Sequence, residues 1–214
     1  MKALKIIFIV TFITLIPGPV VFDRGPDGNI LRLAESQAAT KKAVPARGGA
    51  HEDKTEAPEE KGGPVGSRLT AQEVRQLLTG HNRIRAEVGV SPLAWSEKHA
   101  IYAQEWADHL ASTSRRMEHR PRSGTWKQEH GENLFMGTAG YYGVADAVST
   151  WGREKSAYHG KPIDMSTVYA YGHYTQLVWK NTKKIGCAKV ECGGNVIIVC
   201  NYDPPGNVLG QKPY

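Results

Sequence analysis

The residues of this chain with chemistry to offer are imidazoles and carboxylates scattered over four short stretches. His173 heads the run Gly172-His173-Tyr174-Thr175-Gln176-Leu177-Val178-Trp179-Lys180. Glu132 lies in His130-Gly131-Glu132-Asn133, and His119 lies in Arg115-Arg116-Met117-Glu118-His119-Arg120-Pro121. Glu154 stands on a predicted helix, where Ala147, Trp151, Glu154 and Tyr158 recur at i, i+4, i+7 and i+11 and so face a core. A carboxylate on such a stripe needs a partner, because burying it alone is expensive. An imidazole ligates metals and moves protons near neutral pH, so a gathering of these groups would serve either binding or catalysis. Each also has a plainer reading: Glu154 can edge outward to a surface cation, Glu132 can cap a turn, and His173 can be structural.

The elements that must position these residues follow from the hydrophobic pattern. Thr70-Ala71-Gln72-Glu73 is a capping box. Val74, Leu77, Leu78, His81, Ile84 and Val88 follow at helical spacing, to an end at Gly89 with Pro92 beyond. A second helix is predicted over about 96–112, where Ala100, Ala103, Ala107 and Leu110 form a small-residue stripe that permits close approach. Residues 113–142 show no regular pattern. A third helix spans about 143–158. The pattern then changes to period two, and Tyr174–Lys180, Lys184–Cys192 and Asn195–Tyr202 read as three strands. On that reading His173 opens a strand.

Gly193-Gly194 joins the last two strands as a tight hairpin. Counting outward from that loop sets Cys187 opposite Cys200 at a non-hydrogen-bonded position, where Cα atoms lie about 4.5 Å apart. That is within disulfide range, so the expectation is a Cys187–Cys200 bridge with Cys192 free. Three cysteines without a CxxC pair do not suggest a zinc knuckle.

Residues 1–22 read as an export signal, with Lys2 and Lys5 before the apolar run Ile6–Ile16 and the breaker Pro17-Gly18-Pro19. An uncleaved membrane anchor is the alternative. Residues 23–67 carry seven basic and eight acidic residues, and from 34 to 67 no aromatic one, so they read as a disordered linker. The folded domain is expected over 68–214, secreted or held outside a membrane, where disulfides persist. That part has 18 basic and 13 acidic residues. Its mild positive charge reads first as a soluble surface with a surplus of lysine, and would also suit anionic lipid or cell-wall surfaces. No Arg/Lys stripe interleaves with aromatics, so nucleic acid is not expected as a partner.

The run from Gly172 to Trp179, with Cys200-Asn201-Tyr202-Asp203-Pro204-Pro205-Gly206-Asn207, resembles the two signature motifs of the CAP superfamily. That superfamily groups cysteine-rich secretory proteins, antigen 5 and pathogenesis-related class 1 proteins. His81-Asn82 with Arg85, Leu93-x-Trp95, Gly131-Glu132-Asn133-Leu134 and Trp151-x-x-Glu154 extend the resemblance over about 70–214. It implies an α+β fold: a three-layer α-β-α sandwich with a small, largely antiparallel central sheet. It implies a cleft tetrad of His119, Glu132, Glu154 and His173, with His130 as rival to His119. It further implies a divalent metal such as zinc, weakly held by His119 and His173. The family pairs the first and third cysteines of the last cluster, in agreement with the register count.

Three functions fit such a cleft. One is a secreted, monomeric module that binds lipid, sterol or a cell-surface component. Another is a metal-dependent hydrolase in which Glu132 or Glu154 is the base for a metal-bound water. The last is a defence or host-interaction protein with a vestigial cleft. Neither HExxH nor GxSxG is present, which favours binding over catalysis.

Overall fold

The structure, a computed structural model, describes residues 66–214. The expected export signal over 1–22 and the expected linker over 23–67, up to residue 65, lie outside the described residues. Thr70 caps α1 (Ala71–Ala86). Its hydroxyl accepts from the Glu73 N–H at 3.2 Å, and the Glu73 carboxylate accepts from the Thr70 N–H at 2.8 Å. Val74, Leu77, His81, Ile84 and Arg85 are its buried stripe. The helix stops at Ala86, short of the expected Gly89, and Gly89 (φ 71°) lies in the turn that follows. Next come β1 (Ala94–Trp95), α2 (Glu97–Ser112), β2 (Gly131–Thr138) and α3 (Val144–Arg153). A 3₁₀ turn (Glu154–Ala157), α4 (Val168–Leu177), β3 (Lys184–Cys192) and β4 (Asn195–Asp203) complete the fold.

The sheet order is β1-β3-β4-β2, with β4 antiparallel to both neighbours and only β1 parallel to β3. Successive strand residues point to opposite faces, and each face has its own helical layer. On one, Ala103, Trp106, Ala107 and Leu110 of α2 cluster with Leu134, Ala188, Val190, Ile197 and Val199. On the other, α1, α3 and α4 bring Leu77, Val148, Trp151 and Leu177 together with Ile185, Val196, Ile198 and Tyr202. This is the α-β-α sandwich. The alanine stripe of α2 does allow close approach: a Cβ on Gly186 of β3 would fall 2.1 Å from the Ala100 nitrogen.

The hairpin register is as counted. Cys187 faces Cys200, their Cα atoms lie 4.1 Å apart, and they are bridged. Cys192 is a free thiol, half-buried.

One expectation is overturned. Tyr174–Lys180 is not a strand: His173 to Leu177 belong to α4, and Val178 is its C-cap. Every residue from Tyr171 to Leu177 is buried. A helical segment enclosed on all sides, as Tyr171–Leu177 is, has no solvent face to imprint a helical period on its sequence. The polar members are satisfied inside: Thr175 Oγ1 donates to Asn207 Oδ1 at 2.7 Å, and Gln176 Oε1 accepts from the Gly206 N–H at 3.0 Å. The third strand of the antiparallel set is instead β2, within the stretch that shows no pattern. The third helix is also shorter than expected, turning to 3₁₀ geometry at Glu154.

Arg85 clamps α4 in place. Its buried guanidinium donates to the carbonyls of Ser91 (2.7 Å), Leu177 (2.7 Å), Trp179 (3.0 Å) and Thr182 (3.1 Å). Burial lowers its pKa to about 10, so it remains a cation at neutral pH.

Candidate functional site

His119 sits in the loop between α2 and β2, which is anchored on both sides. Met117 inserts into the α2 cluster, and the Trp106 indole donates to the Glu118 carbonyl at 2.8 Å. Next to His119, the buried Arg120 guanidinium lies 3.7 Å from the centre of the Tyr102 ring. Glu132 is on β2, its side chain fully buried. One of its oxygens accepts from His119 Nδ1 at 2.7 Å and from the Arg120 N–H at 3.2 Å. The other accepts from Asn201 Nδ2 at 3.4 Å. A carboxylate oxygen accepts, so Nδ1 of His119 carries a proton, and in the neutral imidazole Nε2 keeps its lone pair.

The second pair is built alike. Where α3 gives way to the 3₁₀ turn, the Glu154 carboxylate meets the middle of α4. One oxygen accepts from His173 Nδ1 at 2.6 Å; the other accepts from the peptide N–H groups of His173 (2.9 Å) and Tyr174 (3.2 Å). The stripe of α3 explains the placement: Trp151, one turn earlier, stacks on the His173 ring with planes 23° apart. Thus Glu154 does find its partner inward, and the surface-cation reading does not apply.

His119, Glu132 and His173 line one small cleft with Asn133, Gly172 and Asn207, while Glu154 backs His173 from behind. Nε2 of both histidines is buried and has no hydrogen-bond partner among the described residues. The space between is only about 10 Å³, room for one water or one ion. His130 is not among the lining residues. Its ring packs against His99 and Tyr102, with centroids 4.4 and 4.9 Å away.

Several positioning residues were visible in the sequence only as parts of motifs. Asn133 Nδ2 donates to the His173 carbonyl at 3.1 Å and to the Tyr202 hydroxyl at 3.2 Å. Tyr202 in turn donates to His81 Nε2 at 2.9 Å, and His81 Nδ1 donates to the Leu77 carbonyl at 2.8 Å. Burial holds Tyr202 well above the ordinary phenol range and lowers His81 to about 4. Both groups are therefore neutral, and the chain of bonds from α1 to α4 is fixed in direction. Asn207, at φ 50°, donates to the Gly172 carbonyl at 2.8 Å and closes the cleft from the other side.

The profile of the cysteine-rich secretory protein family, CAP, matches residues 78–202. The chain belongs to the CAP family. It is 41% identical to pathogenesis-related protein 1C of Nicotiana tabacum over 146 residues, which are 67% of this chain and 83% of that protein. It is 42% identical to pathogenesis-related protein 1 of Arabidopsis thaliana over 149 residues, 68% of this chain and 86% of that one. Among solved structures, NaASP2 with Zn2+ aligns with a TM-score of 0.58 at 22% identity, covering 68% of this chain and 86% of that chain. BmVAL-1 aligns with a TM-score of 0.58 at 23% identity, covering 70% and 84%. These two likenesses agree with the sandwich fold. This CAP domain therefore belongs with the pathogenesis-related proteins in sequence.

Proposed function

We propose that this CAP protein is an exported binding module whose cleft takes a borderline divalent cation, zinc first among them, on Nε2 of His119 and His173. One observation carries the reading: two buried imidazoles, each held at Nδ1 by a carboxylate and each with an unpartnered Nε2, line the same ion-sized space. Protein carboxylates orient metal-bound histidines in this way and raise their basicity. Two nitrogens leave the remaining positions of a four-coordinate ion to water or ligand, so binding is weak. NaASP2, a protein of the same fold, has been solved with Zn2+.

The carboxylates favour binding over hydrolysis. A general base needs an oxygen free to reach the reacting proton, whereas Glu132 and Glu154 spend both oxygens on their histidines and neighbouring N–H groups. The cleft is also too small for a lipid or sterol. Such a ligand fits better in the groove of about 420 Å³ between α1 and α3. There the exposed Arg75 and Arg83 supply positive charge for an anionic head group.

The test is zinc calorimetry on the full chain beside its His119→Ala and His173→Ala variants, with casein turnover measured in parallel. Loss of one zinc equivalent in each variant, without turnover, supports the binding reading. Absent affinity, or a zinc stoichiometry unchanged in His173→Ala, contradicts the cleft cation site. Turnover that Glu154→Gln abolishes contradicts the binding module.

A further inference from the structure

We infer that His99, His130 and Asp203 form a second divalent-cation site, independent of the cleft. The three come from separate elements that the fold brings to one corner of the sheet. His99 is in the first turn of α2, His130 immediately precedes β2, and Asp203 ends β4. One ligand atom from each lies within 4.8 Å of the other two. His99 Nε2 is 3.9 Å from Asp203 Oδ2, and His130 Nδ1 is 3.8 Å from Asp203 Oδ1.

These separations are too long for hydrogen bonds, and both nitrogens are buried without a partner among the described residues. Two orphaned imidazole atoms aimed at one carboxylate are costly unless something sits between them. Ligands of a tetrahedral ion with bonds of about 2.0–2.1 Å stand about 3.4 Å apart. With one atom per residue the set lies within 4.8 Å, so a contraction of up to about 1.4 Å would close it around zinc.

The surroundings already fix the ligand atoms. His99 Nδ1 lies 2.6 Å from Ser96 Oγ, which occupies that nitrogen and leaves Nε2 for the ion. The Asp203 carbonyl accepts from the Lys183 N–H at 2.9 Å, so its carboxylate is held on the sheet. The His99 and His130 rings meet nearly perpendicular, at 71°, which lets two in-plane lone pairs converge. Burial lowers both imidazole pKa values. The Asp203 side chain is 40% exposed and provides entry and a solvent-facing fourth position. Two imidazoles and one carboxylate suit zinc or copper(II) far better than the all-oxygen preference of calcium or magnesium.

The experiment is cobalt(II) and zinc titration of the chelator-treated full chain, read by the visible bands of tetrahedral cobalt and by zinc competition. The Asp203→Asn variant changes no volume, and His130→Leu is the second probe. The expected result is that His173→Ala still binds one equivalent of zinc. Asp203→Asn and His130→Leu should each weaken that equivalent at least tenfold, with circular dichroism unchanged. Zinc binding that Asp203→Asn weakens while His119→Ala and His173→Ala leave it intact would support this site even if the cleft takes no ion. A His173→Ala protein that binds no zinc, or an Asp203→Asn protein with unaltered affinity and cobalt spectrum, overturns the inference.

Discussion

Glu154→Gln separates what the carboxylate does for His173 from mere packing. Oε2 of Glu154 faces two peptide N–H donors, at 2.9 and 3.2 Å, so the glutamine carbonyl must occupy that place. The amide NH₂ then meets His173 Nδ1, where Oε1 stood at 2.6 Å. Two donors cannot share that contact, and the ring relieves it by moving its proton to Nε2. Nε2 then donates instead of ligating. Loss of such a supporting carboxylate weakens a metal site about 10–100-fold, or about 1.4–2.7 kcal/mol. Stability should fall by about 2 kcal/mol, the worth of a charge-assisted hydrogen bond. For a domain of this size that lowers the melting temperature by about 4–8 °C. Zinc affinity by chelator competition, with thermal unfolding of the zinc-free protein, reads both effects. An affinity within twofold of the parent protein would refute the reasoning, because the tautomer would then not depend on the carboxylate.

Stability should also depend on His81. Its pKa is near 4 in the fold against 6.5 when free, so the unfolded chain binds the extra proton. Stability is full above pH 6.5 and falls by about 3 kcal/mol on going to pH 4; urea unfolding across that range should show it, with less of the loss in His81→Gln. Arg85→Lys should lose at least about 3 kcal/mol, because one ammonium cannot reach the four carbonyls and leaves buried acceptors unpaired; chemical denaturation checks this. Reducing the Cys187–Cys200 bridge, which spans 13 residues, should lower stability by about 3 kcal/mol in unfolding with and without reductant. Thiol titration of the denatured, oxidised chain should find one free thiol, and more than one contradicts the pairing.

Legibility in the sequence depended on how one-sided each element is. The capping box at Thr70 and the stripe of α1 face core and solvent on opposite sides, so their period is visible. The Gly-Gly hairpin set its own register, and with it the disulfide. α4 and β2 are different: Tyr171–Leu177 is enclosed on all sides, and Gly131–Phe135 of β2 is buried on both faces. Neither alternation nor a helical stripe can mark such segments, and they are the ones that carry His173 and Glu132. The need for a partner at Glu154 was readable from its stripe, but the identity of that partner came from the family motif. The His99, His130 and Asp203 cluster has no sequence signal, since no local spacing links three residues drawn together only by the sheet and α2.

The central claim is that the carboxylates set both cleft imidazoles with the proton on Nδ1 and a bare Nε2. Long-range ¹H–¹⁵N spectra of histidine-labelled protein, before and after zinc, test it most directly. The account predicts that His119 and His173 both show the Nδ1–H tautomer in the metal-free protein and that zinc moves their Nε2 resonances together. An Nε2–H tautomer at either residue, or Nε2 signals that zinc leaves in place, would contradict it.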